Sequence, residues 1–174
     1  AVIDAVELEF LEIVAEGFKR GEGPPPATRK AMPHMMASMM GIQRSLKSVD
    51  KNPAEPKTHM PAAEIAGLEG FARAVGVDDL GYARVAETLV FRDKAILHPN
   101  AIVLTMEMDK RRIDTSPSEQ SFIAVHETYR HLGVASNRIA GWLRKRGYSA
   151  HAGHPLMGLA LYPPLAQQAG LGWR

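Results

Sequence analysis

The order of apolar and polar positions predicts four helices along the chain. In residues 2–20, glutamates separate an apolar stripe with helical spacing, formed by Val6, Phe10, Ile13 or Val14, and Phe18. Residues 62–75 show the same periodicity, and Gly76 stands where a helix commonly ends. The longest predicted helix has Ser116 as its expected N-cap and ends at Gly147, and its stripe contains Phe122, Val125, Tyr129, Leu132, Ser136, Ile139 and Leu143.

A fourth helix is predicted in the methionine-rich sequence "MPHMMASMMGIQRSL". Its stripe at spacings of three and four residues consists of Met32, Met35, Met36, Met39, Met40, Gln43 and Leu46. Packing in the core, or as a cover over the domain, is the favoured interpretation of this stripe. The alternative is a pliable surface for a partner or a large apolar cofactor, because methionine side chains adapt to irregular surfaces.

Strand signals surround the longest predicted helix. Residues 101–104 are continuously apolar and residues 105–108 alternate, which predicts a strand that is buried on both faces at its start. The sequence "GYARVAETLVF" indicates a strand or a short turn, and residues 148–151 a further short strand. The order strand, long helix, strand predicts an α/β crossover connection.

Composition excludes several classes of protein. The 174 residues are 45% hydrophobic and 23% charged, and no apolar run reaches the length that spans a bilayer. Because the chain has no Cys, it cannot itself form disulfides or cysteine-ligated clusters. The net charge of +2 does not indicate a nucleic-acid binder, although residues 111–174 carry a net charge of +5 against −3 in residues 1–110. A solvated basic face is the favoured interpretation of that excess, with an anionic ligand as the alternative.

Motifs for chemistry are few. His151 and His154 have the spacing H-x-x-H, but no third ligand is fixed by the sequence, so no metal site is predicted. A nucleophile elbow, a P-loop and a dinucleotide-binding glycine motif are all missing. Acidic pairs at residues 78–79 and 107–109 are most simply read as exposed carboxylates.

The phrase "AGLGW" carries two glycines whose backbone can approach a ligand closely, with an indole beside them. This phrase is also typical of an ordinary helix C-cap. By composition alone, a helix C-cap is favoured over a ligand contact.

Four segments together resemble one known family. The segment "YPPLAQQAGLGWR" is similar to a junction in the epoxyqueuosine reductase and corrinoid-dependent reductive dehalogenase family. The segments "VGVDDLGYARV", "LHPNAIVLTMEMD" and "ASNRIAGWLRKRGYSAHAGHP" resemble the same family in the same order. Leu156 stands where epoxyqueuosine reductases carry an acidic residue, so the substrate stays unassigned.

The resemblance implies a fold and a domain division. It implies an α/β (α+β) protein, namely a nitroreductase-like three-layer α/β/α sandwich with a mixed sheet. Residues 61–174 would form this cofactor-binding domain, and residues 1–60 a helical, proline-rich extension. In the family, a ferredoxin-like module with two [4Fe–4S] clusters follows in sequence. We therefore expect this chain to be truncated before that module, and to be inactive alone.

The resemblance also implies an activity and a site. It implies a cobalamin-dependent, iron–sulfur-linked reductase that acts on a small-molecule substrate. A cytoplasmic location is the default expectation from the composition, which lacks Cys and an apolar span. The expected cofactor-binding residues are Gly170, Leu171, Gly172 and Trp173, and the candidate proton donors are Tyr162, His151 and His154. The alternatives are a non-catalytic corrinoid- or flavin-binding module and a protein-interaction domain; homodimer formation is left open. Nucleic-acid and membrane partners are not expected.

Overall fold

The computed structural model describes residues 26–92 and 94–172. The helix predicted for residues 2–20 and the candidate Trp173 therefore lie outside the described residues. Short 3₁₀ turns occupy Val49–Lys51 and Glu87–Leu89. The other elements are α1 (Pro26–Lys47), α2 (Ala62–Ala74), β1 (Asp79–Arg84), β2 (Asn100–Thr105), α3 (Lys110–Ile113), α4 (Glu119–Lys145) and α5 (Tyr162–Gln168).

The sheet of the described residues has two antiparallel strands, with β1 paired to β2 from Asp79 opposite Thr105 to Arg84 opposite Asn100. This confirms the strand predicted at residues 101–104. The prediction of burial on both faces is wrong, since β2 is half-buried beyond its exposed first residue. Residues 148–151 form no strand; the Ala150 amide instead donates to Asn52 Oδ1 at 2.9 Å. The predicted crossover is therefore not present in this part of the chain.

Helices lie on both faces of this sheet. Leu80, Ile102 and Leu104 point to one face and pack against the core between α2 and α4. Successive side chains of a strand alternate, so Gly81 points to the other face. A Cβ built at Gly81 would lie 2.6 Å from the Ala169 carbonyl oxygen, which places the end of α5 against that face. The protein is thus an α+β structure, and the mixed sheet of a three-layer sandwich stays a prediction.

The long helix α4 was predicted well at its C-terminal end. Gly147 has a φ of +88° and follows the C-cap Arg146. At the other end the expected N-cap was wrong: Ser118 caps the helix in a reciprocal capping box with Ser121, and Ser116 lies outside it. Glu119, the first residue of the helix, forms an ion pair with Lys30 of α1.

The buried face of α4 changes along its length. Ile139 and Leu143 are buried as predicted, and they pack in the main core. In the first half of the helix, the most buried positions are the small residues Ser121, Ala124 and Thr128. The larger side chains of the predicted apolar stripe are only half-buried there. The reason is α1, which packs along this half of α4 and approaches it closely over small side chains.

Helix α1 confirms the predicted helix but reverses its buried face. The buried side chains are Ala31, Ser38, Ile42 and Ser45. Met36, Met39 and Met40 are 59%, 48% and 61% exposed, so the prediction that the methionine stripe packs in the core is wrong for these residues. No helix of residues 26–92 and 94–172 is long and apolar enough to cross a membrane.

Candidate functional site

A cavity of about 640 Å³ lies between the sheet, α4 and the segment 148–153, with the start of α5 at its wall. Its volume falls within the range of about 300–1,000 Å³ that is usual for small-molecule sites. Most of its wall is aliphatic and includes Ile65, Leu68, Ile102, Leu104, Ile139, Leu143, Leu159 and Leu165. Alanines at 140, 150 and 152 widen it where larger side chains would fill a core.

A small polar group interrupts this apolar wall. His98, Ser149 and His151 all line the cavity, and Ser149 Oγ lies 3.2 Å from His98 Nε2. Burial lowers the pKa of His151, and the neighbouring His98 and Arg144 lower it further. His151 is therefore a neutral imidazole near pH 7, able to donate one hydrogen bond and accept another.

Tyr162, the first residue of α5, lines the same cavity. Its ring and hydroxyl occupy the space where side chains at Gly153 and Gly158 would stand, since a Cβ there would lie 2.8 and 3.0 Å from Tyr162 atoms. The hydroxyl donates to the His154 carbonyl oxygen at 3.4 Å. Burial raises the pKa of Tyr162, so the phenol keeps its proton at neutral pH.

His154 lies elsewhere, between α1 and α4. It is 3% exposed, and the edge of its ring packs on Gly133 and Gly41. Its Nδ1 accepts the Leu156 amide at 3.2 Å, and its Nε2 has no hydrogen-bond partner among the described residues. His154 does not line the large cavity; it meets His151 only at a separate cleft of about 30 Å³.

The predicted cofactor contacts Gly170, Leu171 and Gly172 lie at the C-terminal end of α5. Gly170 has a φ of +77°, and the Leu171 amide donates to the Ala166 carbonyl at 2.8 Å, so the helix C-cap interpretation of "AGLGW" is confirmed. Apart from the chain neighbours, no heavy atom of the described residues lies within 4 Å of a Cβ built at Gly170 or Gly172. The backbone of residues 170–172 therefore borders open space, outside the wall of the large cavity.

The other polar motifs noted in the sequence make structural contacts within the protein. Asp78 Oδ2 accepts the Glu107 amide at 2.6 Å, and Asp109 caps α3 by accepting the amides of Arg111 and Arg112. In the basic half, the guanidinium of Arg146 stacks over the Trp142 ring at 3.6 Å. No group of three or more His, Asp or Glu residues among the described residues could hold a metal ion.

His98 and Ser149 were not predicted as site residues. Each lies in an irregular segment, where neither periodicity nor spacing marks a side chain for a site. The sequence did offer one signal for Ser149, because it lies two positions before the candidate donor His151. A site that contains His151 could therefore have been expected to include Ser149.

Comparison with known proteins finds one partial relative. The chain is 35% identical over 101 residues to the tetrachloroethene reductive dehalogenase of Dehalobacter restrictus (strain DSM 9455 / PER-K23). The match covers 56% of this chain and 17% of that enzyme. No family model matches the chain. The relation is therefore distant and reductive dehalogenase-like.

Proposed function

We propose that this chain forms the substrate pocket of a cobalamin-dependent, iron–sulfur-linked reductase that acts on a small apolar electrophile such as an organohalide. The observation that carries the proposal is the 640 Å³ aliphatic cavity with Tyr162 and His151 in its wall. The partial identity to a tetrachloroethene reductive dehalogenase supports the same reaction class. An apolar wall with few polar groups suits a substrate that has little hydrogen-bonding capacity.

The nitroreductase-like fold and the domain division implied by the family resemblance are part of the same proposal. Residues 61–174 would belong to a nitroreductase-like three-layer domain, with residues 1–60 as its extension. The clusters would require cysteines outside this sequence, which has none. The protein would work in the cytoplasm on a small molecule.

The residues present fit one side of a corrinoid. Cobalamin is larger than the cavity, so this chain would hold only part of it. Gly170 and Gly172 would be its contacts, since no other described side chain or backbone crowds a Cβ built at either position. Gly170 follows Tyr162 by eight residues, about 12 Å along a helix axis. Residues 170–172 would hold the ring, and Trp173, the other expected contact, lies outside the described residues.

The chemistry needs two electrons and one proton for each halogen removed. The carbon–halogen bond breaks, a carbon–hydrogen bond forms and a halide ion leaves. Bound cobalamin supplies the electrons. The task of this chain is to orient the substrate, to exclude water and to deliver the proton.

Tyr162 is the proposed proton donor. Its phenol is neutral at pH 7 because burial raises its pKa, and it lies in the cavity wall. His151 is neutral as well, so it can pass a proton or hold a polar substituent without placing a charge against the apolar wall. His154 takes no part in this mechanism, because its ring is enclosed between α1 and α4.

The proposal is tested with cobalamin and tetrachloroethene as probes. Purified chain should change the absorbance spectrum of cobalamin saturably. Without the iron–sulfur clusters the chain is expected to be inactive alone, so a chemical reductant takes their place, and the mixture should then release chloride faster than cobalamin and reductant alone. Tyr162→Phe should keep cobalamin binding and lower the protein-dependent chloride release by about 10²-fold or more, as typical for loss of a general acid.

A matched pair of variants localises the effect. Ile102→Trp narrows the cavity and should abolish protection of the protein by tetrachloroethene against thermal unfolding. Val134→Trp, on the exposed side of α4, should leave it unchanged. If wild-type chain binds neither probe, the proposed function is wrong.

A further inference from the structure

The polar side chains of the large cavity lie in a row along one segment of its wall. His98 meets this segment at Ser149, where Ser149 Oγ lies 3.2 Å from His98 Nε2. Tyr162 meets it at Gly153, since a Cβ built at Gly153 would lie 2.8 Å from the Tyr162 hydroxyl. His151 stands two residues from each of these positions, so at most about 7 Å of backbone separates it from either. A small molecule in the cavity can therefore reach His151 and Tyr162 together.

The electrostatic surroundings of His151 are positive. The charges of His98 and Arg144 both lower the pKa of the His151 imidazole, so both groups lie close enough to act on it. Arg144 is half-buried and donates to the Ala150 carbonyl oxygen at 2.9 Å, and none of the ion pairs of the described residues gives it a carboxylate. A ligand group at this place therefore gains from partial negative charge.

Two hydrogen-bond donors of this row are available to a ligand. A neutral imidazole carries one N–H group, and no hydrogen bond within residues 26–92 and 94–172 engages the ring of His151. With the His98 proton on Nε2, that nitrogen donates to Ser149 Oγ, and the Ser149 hydroxyl can donate in turn. Ser136 lines the same cavity but already donates to the Gly153 carbonyl oxygen at 2.8 Å. The available donors are thus the His151 N–H and the Ser149 hydroxyl.

We propose that His151 and Ser149 form a subsite for a carbonyl oxygen, so that the cavity takes an apolar molecule with one carbonyl group. The inference rests on the proposed function in taking this cavity as the substrate site, and it narrows the substrate to an organohalide that carries a carbonyl. The oxygen accepts from the two donors, and the apolar body of the ligand lies against the aliphatic wall. A wholly apolar ligand displaces water from the same donors without replacing its hydrogen bonds, which lowers its affinity.

Acetophenone and α-methylstyrene are the probes, because the two molecules have nearly the same shape and differ in a C=O against a C=CH₂ group. Each is titrated into the full chain without cobalamin, and its Kd is obtained from the rise in Tm. The measured quantity is the Kd of α-methylstyrene divided by that of acetophenone, compared between variants. This comparison cancels the different hydration of the two probes in water and any change in cavity volume that affects both. Circular dichroism confirms that each variant folds as the parent chain does.

His151→Phe and Ser149→Ala should each lower this ratio by about 10-fold, as typical when a buried acceptor loses its donor. His151→Gln keeps an N–H donor and should retain most of the ratio, and the control Ser136→Ala should leave it unchanged. The proposal is overturned if neither probe binds, if His151→Phe and Ser149→Ala both keep the wild-type ratio, or if Ser136→Ala lowers it equally. Chloride release with cobalamin is measured separately, so the reductase function and this subsite can each fail alone.

Discussion

Gly133 and His154 form the tightest contact between α4 and the loop that follows it. A Cβ built at Gly133 would lie 2.4 Å from both Cδ2 and Nε2 of His154. Carbon atoms in contact normally stand about 3.5–4.0 Å apart, so Gly133→Ala requires the imidazole to move by more than about 1 Å. The ring has little room, since Gly41 lies on it and its Nδ1 accepts the Leu156 amide.

Two opposing effects decide the result of Gly133→Ala. In a helix interior, alanine is more favourable than glycine by about 1 kcal/mol. Overpacking a well-filled site costs typically 1–3 kcal/mol, and an enclosed ring places this site near the upper value, about 3 kcal/mol. The net expectation is a loss of about 2 kcal/mol in the free energy of unfolding.

Urea denaturation measures this loss, and Gly141→Ala is the matched control. Gly141 lies in the same helix with no heavy atom within 4 Å of its built Cβ, so the control should gain up to about 1 kcal/mol. In a His154→Ala background the clash is absent, and Gly133→Ala should then be neutral or stabilising. The reasoning is refuted if Gly133→Ala alone stabilises the protein as Gly141→Ala does.

Three further predictions concern glycines and pH. Gly81→Ala should lower the free energy of unfolding by about 3 kcal/mol, because its Cβ meets the Ala169 carbonyl of the backbone at 2.6 Å; a wild-type urea midpoint would contradict this. Gly170→Ala should cost about 1–2 kcal/mol from its positive φ alone, whereas Gly172→Ala should stay within about 0.5 kcal/mol of wild type. Burial lowers the pKa of His154 below 6.5, so the unfolded chain binds its proton more tightly. Its contribution to stability is complete above pH 6.5 and is lost as the pH falls below that value, and His154→Gln should flatten the decrease measured by urea titration between pH 7.5 and 5.5.

The helices could be predicted from sequence because their signals are local. The apolar period of α4 and the glycine at its end depend on neighbouring residues only. Which side of α1 is buried depends instead on α4, and no local pattern contains that information. The period of three and four residues runs through the small residues Ala31, Ser38 and Ser45 as well as through the methionines. Close approach of two helices selected the small face.

The candidate site was only partly predictable for the same reason. Tyr162 and His151 could be named from sequence as candidate donors, and they lie on one cavity. His154, three residues from His151, is directed away because the loop places it against the glycines of α1 and α4. His98 joins the site across 51 positions of sequence through its contact with Ser149. Contacts of this separation arise from the tertiary structure, which spacing along the chain does not encode.

The size of the cavity limits what it can contain. The cavity of about 640 Å³ opens to solvent, so water fills it in the free protein. Water gains few hydrogen bonds from an aliphatic wall, so an apolar molecule of suitable size replaces it favourably. A ligand present at 100 times its Kd adds about 2.7 kcal/mol to the free energy of unfolding, enough to raise Tm by several degrees. The stability of the protein is therefore a sensitive measure of what the cavity binds.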